Sequence, residues 1–303
     1  MKNFSIIITT YNRVEELKIT LKKLTNLIEH GTKLLICDDA STDGTSEFIR
    51  SCYPEIQLSI NSSNKGLIYS RNLLMSFVQT QYAISLDDDA NFLSLFPLEN
   101  ILRHFEMEPK CGVVAFRIFW GLKEPKLCYT KEKLEIVKSF VGCGHAWRMD
   151  AWRKIPNYPE WYIFYGEEEY ASYQLFKNDW QVHYVPEILV HHRVDVSNRK
   201  YQKDYRIRLR RSLRSGWYNY FLFIPWSQIP KRFLYTFYMQ LKLKVFIGDF
   251  KAAIAIFQAS IDLILHLPTL IWKSNRLTKV EFKEYENLSD TKIYWKPLNK
   301  VDA

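Results

Sequence analysis

The feature that most limits what this chain can fold into is an alternation, repeated from its start to about residue 87, of apolar runs and segments of helical period. Phe4-Ser5-Ile6-Ile7-Ile8-Thr9-Thr10 is continuous and β-branched, the pattern of a strand buried on both faces. Val14, Leu17, Leu21, Leu24 and Ile28 then recur at helical spacing. Leu34-Leu35-Ile36-Cys37 reads as a second strand ending at Asp38-Asp39, and residues 43–47 open a short helix toward Arg50. Residues 56–60 form a third strand, 67–78 a third helix and 82–86 a fourth strand, running into Asp87-Asp88-Asp89. Strand and helix in turn with short links predict a largely parallel, doubly wound sheet with right-handed crossovers. Ligands bind such sheets beyond the carboxyl ends of the strands, where both acidic clusters lie.

Beyond residue 110 the pattern is mixed. Residues 113–119 and 181–185 read as strands, with a helix over 168–177 between them. From Asp204 the chain turns basic and aromatic, which puts a soft boundary near residue 198. The expected organisation is a catalytic domain over 1–198, in halves of about 1–110 and 111–198, followed by an amphipathic helical region over 199–303. With 47% hydrophobic and 25% charged residues the chain carries a sizeable core and is not disordered.

The five cysteines show no C-x-x-C pair and no metal spacing, so they read as reduced thiols of a cytoplasmic protein, with Cys37 and Cys143 packed in apolar stretches. Residues 1–10 are too short an apolar run for a signal or a span. Residues 245–272 contain Asp249, Lys251, Asp262, His266 and Pro268, which argue against a spanning helix. The net charge of +9 calls for an anionic partner: nucleic acid, an acidic membrane surface or a phosphorylated substrate.

Asp87, Asp88 and Asp89 repel one another unless solvent or a cation relieves them, and hard divalent cations prefer such oxygens. A solvated acidic turn would have the same composition. Ser41, Thr42 and Asp43 read as caps at a helix N-terminus, but capping does not explain two carboxylates, Asp38 and Asp39, ending an apolar strand. Carboxylates there can accept hydrogen bonds from a nucleobase or from ribose hydroxyls.

Thr9-Thr10-Tyr11-Asn12-Arg13, then Asp38-Asp39-Ala40-Ser41-Thr42-Asp43-Gly44-Thr45, Asn64-x-Gly66, Arg71-Asn72 and Leu86-Asp87-Asp88-Asp89, in that order, resemble the family 2 glycosyltransferases of GT-A fold. The resemblance implies a nucleotide-sugar site built from Thr10, Tyr11, Asn12, Arg13, Asp38, Asp39, Asn64, Gly66, Arg71, Asp87 and Asp88. Asp38 and Asp39 would meet the base, and Asp87 and Asp89 would hold Mg²⁺ or Mn²⁺ against the donor diphosphate. More loosely, Gly142 to Arg148 resembles the strand beside the acceptor, and Gly166-Glu167-Glu168-Glu169 the segment of the catalytic base, usually Gly-Glu-Asp. That leaves Glu168 or Glu167 as the base. Residues 186–192 resemble a closing strand whose last residue, His192, faces the metal. The glutamates would equally suit the first turn of a helix, and His191 and His192 a solvated strand end.

The implied reaction is inverting transfer of a sugar from a nucleotide-diphosphate donor to a hydroxyl of a glycan or lipid-linked acceptor, in bacterial cell-surface polysaccharide assembly. A carboxylate takes the acceptor proton and a cation relieves the leaving group. The Gln-x-x-Arg-Trp signature of processive synthases is not seen, which favours single additions. With no glycine after the first strand, a nucleotidyltransferase or a dinucleotide-binding dehydrogenase is disfavoured. The non-enzyme alternative is a catalytically inactive nucleotide-sugar-binding scaffold, against which Asp87, Asp89 and Glu168 together speak. In the tail, residues 204–275 carry Arg206, Arg208, Arg210, Arg211, Arg214, Lys231, Arg232, Lys242 and Lys244, with aromatics interleaved from Trp217 to Tyr238. Docking on an anionic membrane surface, as a peripheral protein of the inner face, is favoured over packing or homo-oligomer contact, and both over nucleic acid.

Overall fold

Burying Ile6, Ile7 and Ile8 together requires strands on both sides of their own and helices above and below it. The computed structural model, which describes residues 3–195, 198 and 201–297, supplies both. Strand β1 (Phe4–Thr10) pairs in parallel with β2 (Lys33–Asp38) and β4 (Tyr82–Asp87), and β2 with β3 (Gln57–Ile60). Helices α1 (Val14–Glu29), α2 (Thr45–Cys52) and α3 (Leu67–Phe77) make the crossovers. These elements lie within a residue or two of the positions expected from periodicity.

Past β4 the sheet is mixed, which departs from the largely parallel sheet expected. β8 (Gly144–Arg148) runs antiparallel between β4 and β6 (Cys111–Trp120), and β6 pairs in parallel with β9 (Gln181–His192). The short strands β5 (Ala90–Phe92) and β7 (Glu135–Ile136) add antiparallel to β9. The two stretches read separately as residues 181–185 and 186–192 are this one strand. Its register against β6 jumps from Val185 to Leu189, so Pro186 sits in the irregularity and no ladder hydrogen bond is asked of it.

Alternate residues of β1 feed two cores. Ile6 and Ile8 pack with α1, α2 and α4 (Pro97–Met107) on one face. Ile7 packs on the other, with α3, α5 (Met149–Lys154) and α6 (Glu167–Lys177). The second core does not stop at residue 198. It continues through Trp217 and Tyr218 of α7 (Tyr205–Phe223), Ile256 and Ala259 of α9 (Phe250–Trp272) and Tyr285 of α10 (Lys279–Glu286). The boundary expected near 198 falls where, of residues 196–200, only 198 is described.

Several of the tail's arginines take partners within the protein. Arg210 donates twice to the buried carboxylate of Asp262 on α9, Arg208 bonds Asp204, and Arg206 bonds Gln258. Among the described residues α9 is the one helix long and apolar enough to cross a membrane by length and composition. Its inner face, Ala252, Ala255, Ile256 and Ala259, is closed against the protein.

Because sheet and tail share a core, they should unfold together. Trp217 is 1% exposed and its indole N–H donates to Thr236. Replacing it with alanine should cost about 3–5 kcal/mol. Urea denaturation followed by far-UV circular dichroism should show one transition moved to lower denaturant, with no separate step for the tail.

Candidate active site

The parallel pairings align Thr9 with Asp87 and Thr10 with Asp38, so the carboxyl ends of β1, β2 and β4 finish side by side. Two of the three aspartates after β4 turn into the protein. Asp88 accepts from Thr10 Oγ1 at 2.9 Å and lies 3.3 Å from Arg13 Nε. Burial, only partly offset by Arg13, pushes its carboxyl up to about 7. Asp89 is also buried, which works against its charge. His192 and Arg13 overcome that and hold it down at about 2. Arg13 donates to Asp89 Oδ2 at 2.5 Å, and His192 Nε2 lies 2.9 Å from Oδ1. The antiparallel pairing of Ala90 with His192 brings the end of β9 to this point, with the Trp120 ring 4.3 Å from the imidazole. Burial opposes the charge of His192, but Cys143 and Asp89 hold its proton up to about 11.

Asp87 is the aspartate that opens to solvent, with 27% of its side chain exposed, and its Oδ2 lies 3.8 Å from His192 Nε2. The ligand atoms of Asp87, Asp89 and His192 all fall within 4.8 Å of one another. Asp89 Oδ1 is buried and makes no well-aligned hydrogen bond. Two carboxylates and an imidazole this close together fit a divalent cation such as Mg²⁺ or Mn²⁺, which would replace the proton between His192 and Asp89.

The other oxygen of Asp87 accepts from Arg71 at 2.9 Å. Arg71 sits on α3 and is 2% exposed. Its guanidinium also reaches Glu167 Oε1 and the carbonyl of Gly142, each at 3.0 Å. Glu167 is 1% exposed and keeps Oε2 unpartnered, whereas Glu168 is half-buried. A Cβ on Gly142 would stand 2.2 Å from Glu168 Oε1, so residue 142 must lack a side chain for Glu168 to occupy its place. Burial raises both glutamates. Glu167 goes to about 8, with the charge of Glu168 as its second cause, and Arg71 opposes the shift in each. Each carboxylate's charge bears on the other, so the two titrate together. The sequence left the choice between them open; the geometry makes Glu167 the buried partner of Arg71 and leaves Glu168 partly exposed, its carboxylate against Gly142.

The remaining residues singled out from the sequence form the adjoining loop layer. Asn12, in the left-handed region at φ 51°, accepts from the Thr42 N–H and donates its own N–H to Ser41 Oγ. Asp38 binds the Ser41 N–H and the Ser46 hydroxyl, and Asp43 binds the N–H of Val14. Asp39 accepts from Asn61 and from the N–H groups of Lys65 and Gly66, which fixes the turn into α3. Tyr11 and Asn64 are exposed on this layer. His191 points away from it, to the carbonyl of Gly121. A second histidine cluster, His104 with His183 and Cys111, lies apart from the site. His183 there bonds both His104 and Gln181.

The support beneath Glu168 has no signal in the sequence. Asn219 of α7 donates to the Gly166 carbonyl and to Glu169 Oε2, and accepts from the Tyr162 hydroxyl. Arg214 donates to the Tyr162 carbonyl. Gly166 has φ +83°, and a Cβ on it would lie 2.7 Å from that of Ser215. These contacts join residues some fifty positions apart, and no local pattern marks them.

A family model described as "Glycosyl transferase family 2" matches residues 5–157, just over half of the chain. Among curated proteins none matches the sequence significantly. The fold is similar to that of a mannosyltransferase, PcManGT from Pyrobaculum calidifontis, solved with GDP-Man and Mn²⁺. The TM-score is 0.53 at 16% identity, over 88% of this chain and 75% of that one. It is also similar to GalNAc-T7 solved with UDP, GalNAc and Mn²⁺, with TM-score 0.61 at 12% identity, over 89% of this chain and 58% of that one. A third likeness is to residues 1–349 of TarS from S. aureus with UDP-GlcNAc, with TM-score 0.51 at 16% identity, over 69% of this chain and 65% of that one.

If Asp87, Asp89 and His192 hold a cation, Mn²⁺ should bind the full chain with a one-site isotherm in titration calorimetry. Asp89→Ala should weaken that binding at least about 100-fold. Asp43→Ala, which removes only a loop contact, should leave it within about twofold.

Proposed function

The chain belongs to glycosyl transferase family 2 and is a glycosyltransferase, and from that premise we propose that it moves a sugar from a nucleotide-diphosphate donor to an acceptor hydroxyl with inversion. The observation that carries this reading is the joining, through Arg71, of the Asp87, Asp89 and His192 cluster to Glu167, the neighbour of Glu168. One end can hold a diphosphate through a cation, and the other can take a proton. The relatives of like fold were solved with GDP-Man, UDP or UDP-GlcNAc, which supports a nucleotide-sugar donor here.

In this reading the nucleoside lies against Thr10 to Arg13 and against the loops shaped by Asp38, Asp39, Asn64 and Gly66. A divalent cation, when bound by Asp87, Asp89 and His192, supplies neutralisation of the charge on the departing diphosphate. Arg13, whose side chain is 42% exposed, adds positive charge beside Asp88 and Asp89. Glu168 accepts the proton of the acceptor hydroxyl as that oxygen attacks the anomeric carbon. The bond from that carbon to the diphosphate oxygen breaks on the opposite face, and the electron pair leaves with the nucleotide. Glu167 and Arg71 touch neither reacting atom; they position Glu168, while burial holds its pKa above the ordinary value. A base with a raised pKa is better matched to a hydroxyl donor.

We place the reaction on the cytoplasmic side of a bacterial cell membrane, with a glycan or lipid-linked acceptor of cell-surface polysaccharide assembly. The free cysteines, Cys37, Cys111 and Cys143 among them buried, accord with a reducing compartment.

The test is a panel of nucleotide sugars incubated with the full chain and Mn²⁺ or Mg²⁺, read by nucleotide release. One nucleotide class should be turned over, and EDTA should stop it. Glu168→Gln should lower kcat by about 10²–10⁴ while leaving donor affinity nearly unchanged. No turnover or stabilisation by any donor with metal present would sink the proposal. The acid side of the pH profile gives a second check. Glu168 works as the carboxylate, and its pKa lies above the ordinary 4.5, so acidification protonates it early. kcat/KM should therefore rise with pH on the acid side, with a midpoint above that of an ordinary glutamate. An acid limb at the ordinary glutamate value of 4.5 would place the base elsewhere.

A further inference from the structure

We propose that the outer face of α9, together with α8 (Ile229–Leu243) and the turn between them, is a docking surface for an anionic lipid bilayer, on which the helices lie flat. Of the basic tail that the sequence marks out for that task, α7 is the layer beneath, with Arg206, Arg210 and Arg214 bonded to protein groups.

The outer face of α9 repeats an apolar side chain at intervals of four and three residues. Phe250, Ile254, Phe257, Ile261 and Ile264 follow one another along it, and Trp272 ends it. Phe257 and Ile264 are 67% and 69% exposed, and Trp272 is 81%. At 1.5 Å per residue this stripe runs about 34 Å. The turn before it adds Phe246 and Ile247, and α8 adds Leu234, Tyr235 and Tyr238, all exposed. Exposed apolar surface of this extent marks an interaction site.

Charge decides what occupies it. Lys231, Lys242, Lys251 and Lys273 are exposed along the same segment. Between residues 226 and 273 there are two acidic residues, and both are committed. Asp249 caps α9 and accepts from Tyr205, and Asp262 is paired with Arg210. An apolar stripe bordered by uncompensated lysines, with Trp and Tyr at its edges, is complementary to lipid headgroups of negative charge. A second copy packed on this face about a two-fold axis would bring the lysines against their own equivalents. A spanning orientation is disfavoured by the inner face, where α9 is closed against α7 around the Arg210–Asp262 pair. The inference stands on the surface alone. That a lipid-linked acceptor would be met there rests in addition on the proposed transfer reaction, which the donor panel tests separately.

The experiment is flotation of the full chain with vesicles of phosphatidylcholine mixed with phosphatidylglycerol, and with vesicles of phosphatidylcholine alone. The wild type should float with the mixed vesicles, and less as salt is raised. Phe257→Glu combined with Ile264→Glu should reduce the partition coefficient more than about tenfold. Both positions are exposed, so thermal midpoint and Mn²⁺ binding should stay at wild-type values. Lys242→Glu with Lys251→Glu should abolish the preference for the charged vesicles. A wild type that stays unbound with both vesicle types overturns the proposal, as does a double variant that floats as well as the wild type. If light scattering finds a dimer that the double variant dissolves while neither protein floats, the face belongs to a second copy and the proposal fails.

Discussion

One buried cation holds the site together. Arg71 brings Asp87, Glu167 and the Gly142 carbonyl to a single guanidinium, and these come from β4, from the start of α6 and from the loop before β8. A fully desolvated arginine is tolerable only where its donors are matched by charge and geometry, and the planar fork of arginine meets several acceptors at once. The proximity of the acidic cluster to the base therefore follows from one electrostatic requirement, not from two independent loops. Lysine at position 71 would carry the charge without the fork.

Much of the first half was legible in the amino-acid sequence because its code is local. The apolar run of β1, the five spaced apolar residues of α1 and the aspartates closing β2 and β4 each act within a few residues. Strand β8 was recognisable only through family resemblance, because its residues 144–148 carry His145 and Arg148 and show no alternation. Strand β9 was read in two pieces because Pro186 interrupts a pattern that the register jump against β6 absorbs. At the site, the family resemblance pointed to Asp87, Asp89, His192 and the glutamates. Which glutamate is buried on Arg71 depended on residues about 95 and 25 positions away, Arg71 and Gly142. The charge of α7 was visible and its direction was not, because an arginine's partner on α9 lies fifty residues further on.

The loops around the nucleotide half show how closely the strand ends are bound to one another. Asp38, Asp39 and Asp43 each accept backbone hydrogen bonds from neighbouring loops, so carboxylates that resemble ligand groups in sequence also set the loop geometry. Side-chain to backbone bonds of this kind compete with regular structure and suit the abrupt strand-to-loop turns here.

The contact of Gly166 with Ser215, and of Asn219 with Glu169, bears on how the chain can be divided. The family match ends at residue 157, which invites a minimal fragment ending just after β9. Such a fragment would leave Glu169 and the Tyr162 carbonyl without the donors that α7 supplies, and would strip the cover from the turn that carries Glu168. The smallest unit that keeps Glu168 in register extends at least through α7 and the α9 face that supports it, so modular swaps between relatives should exchange the turn and its helical floor as one cassette.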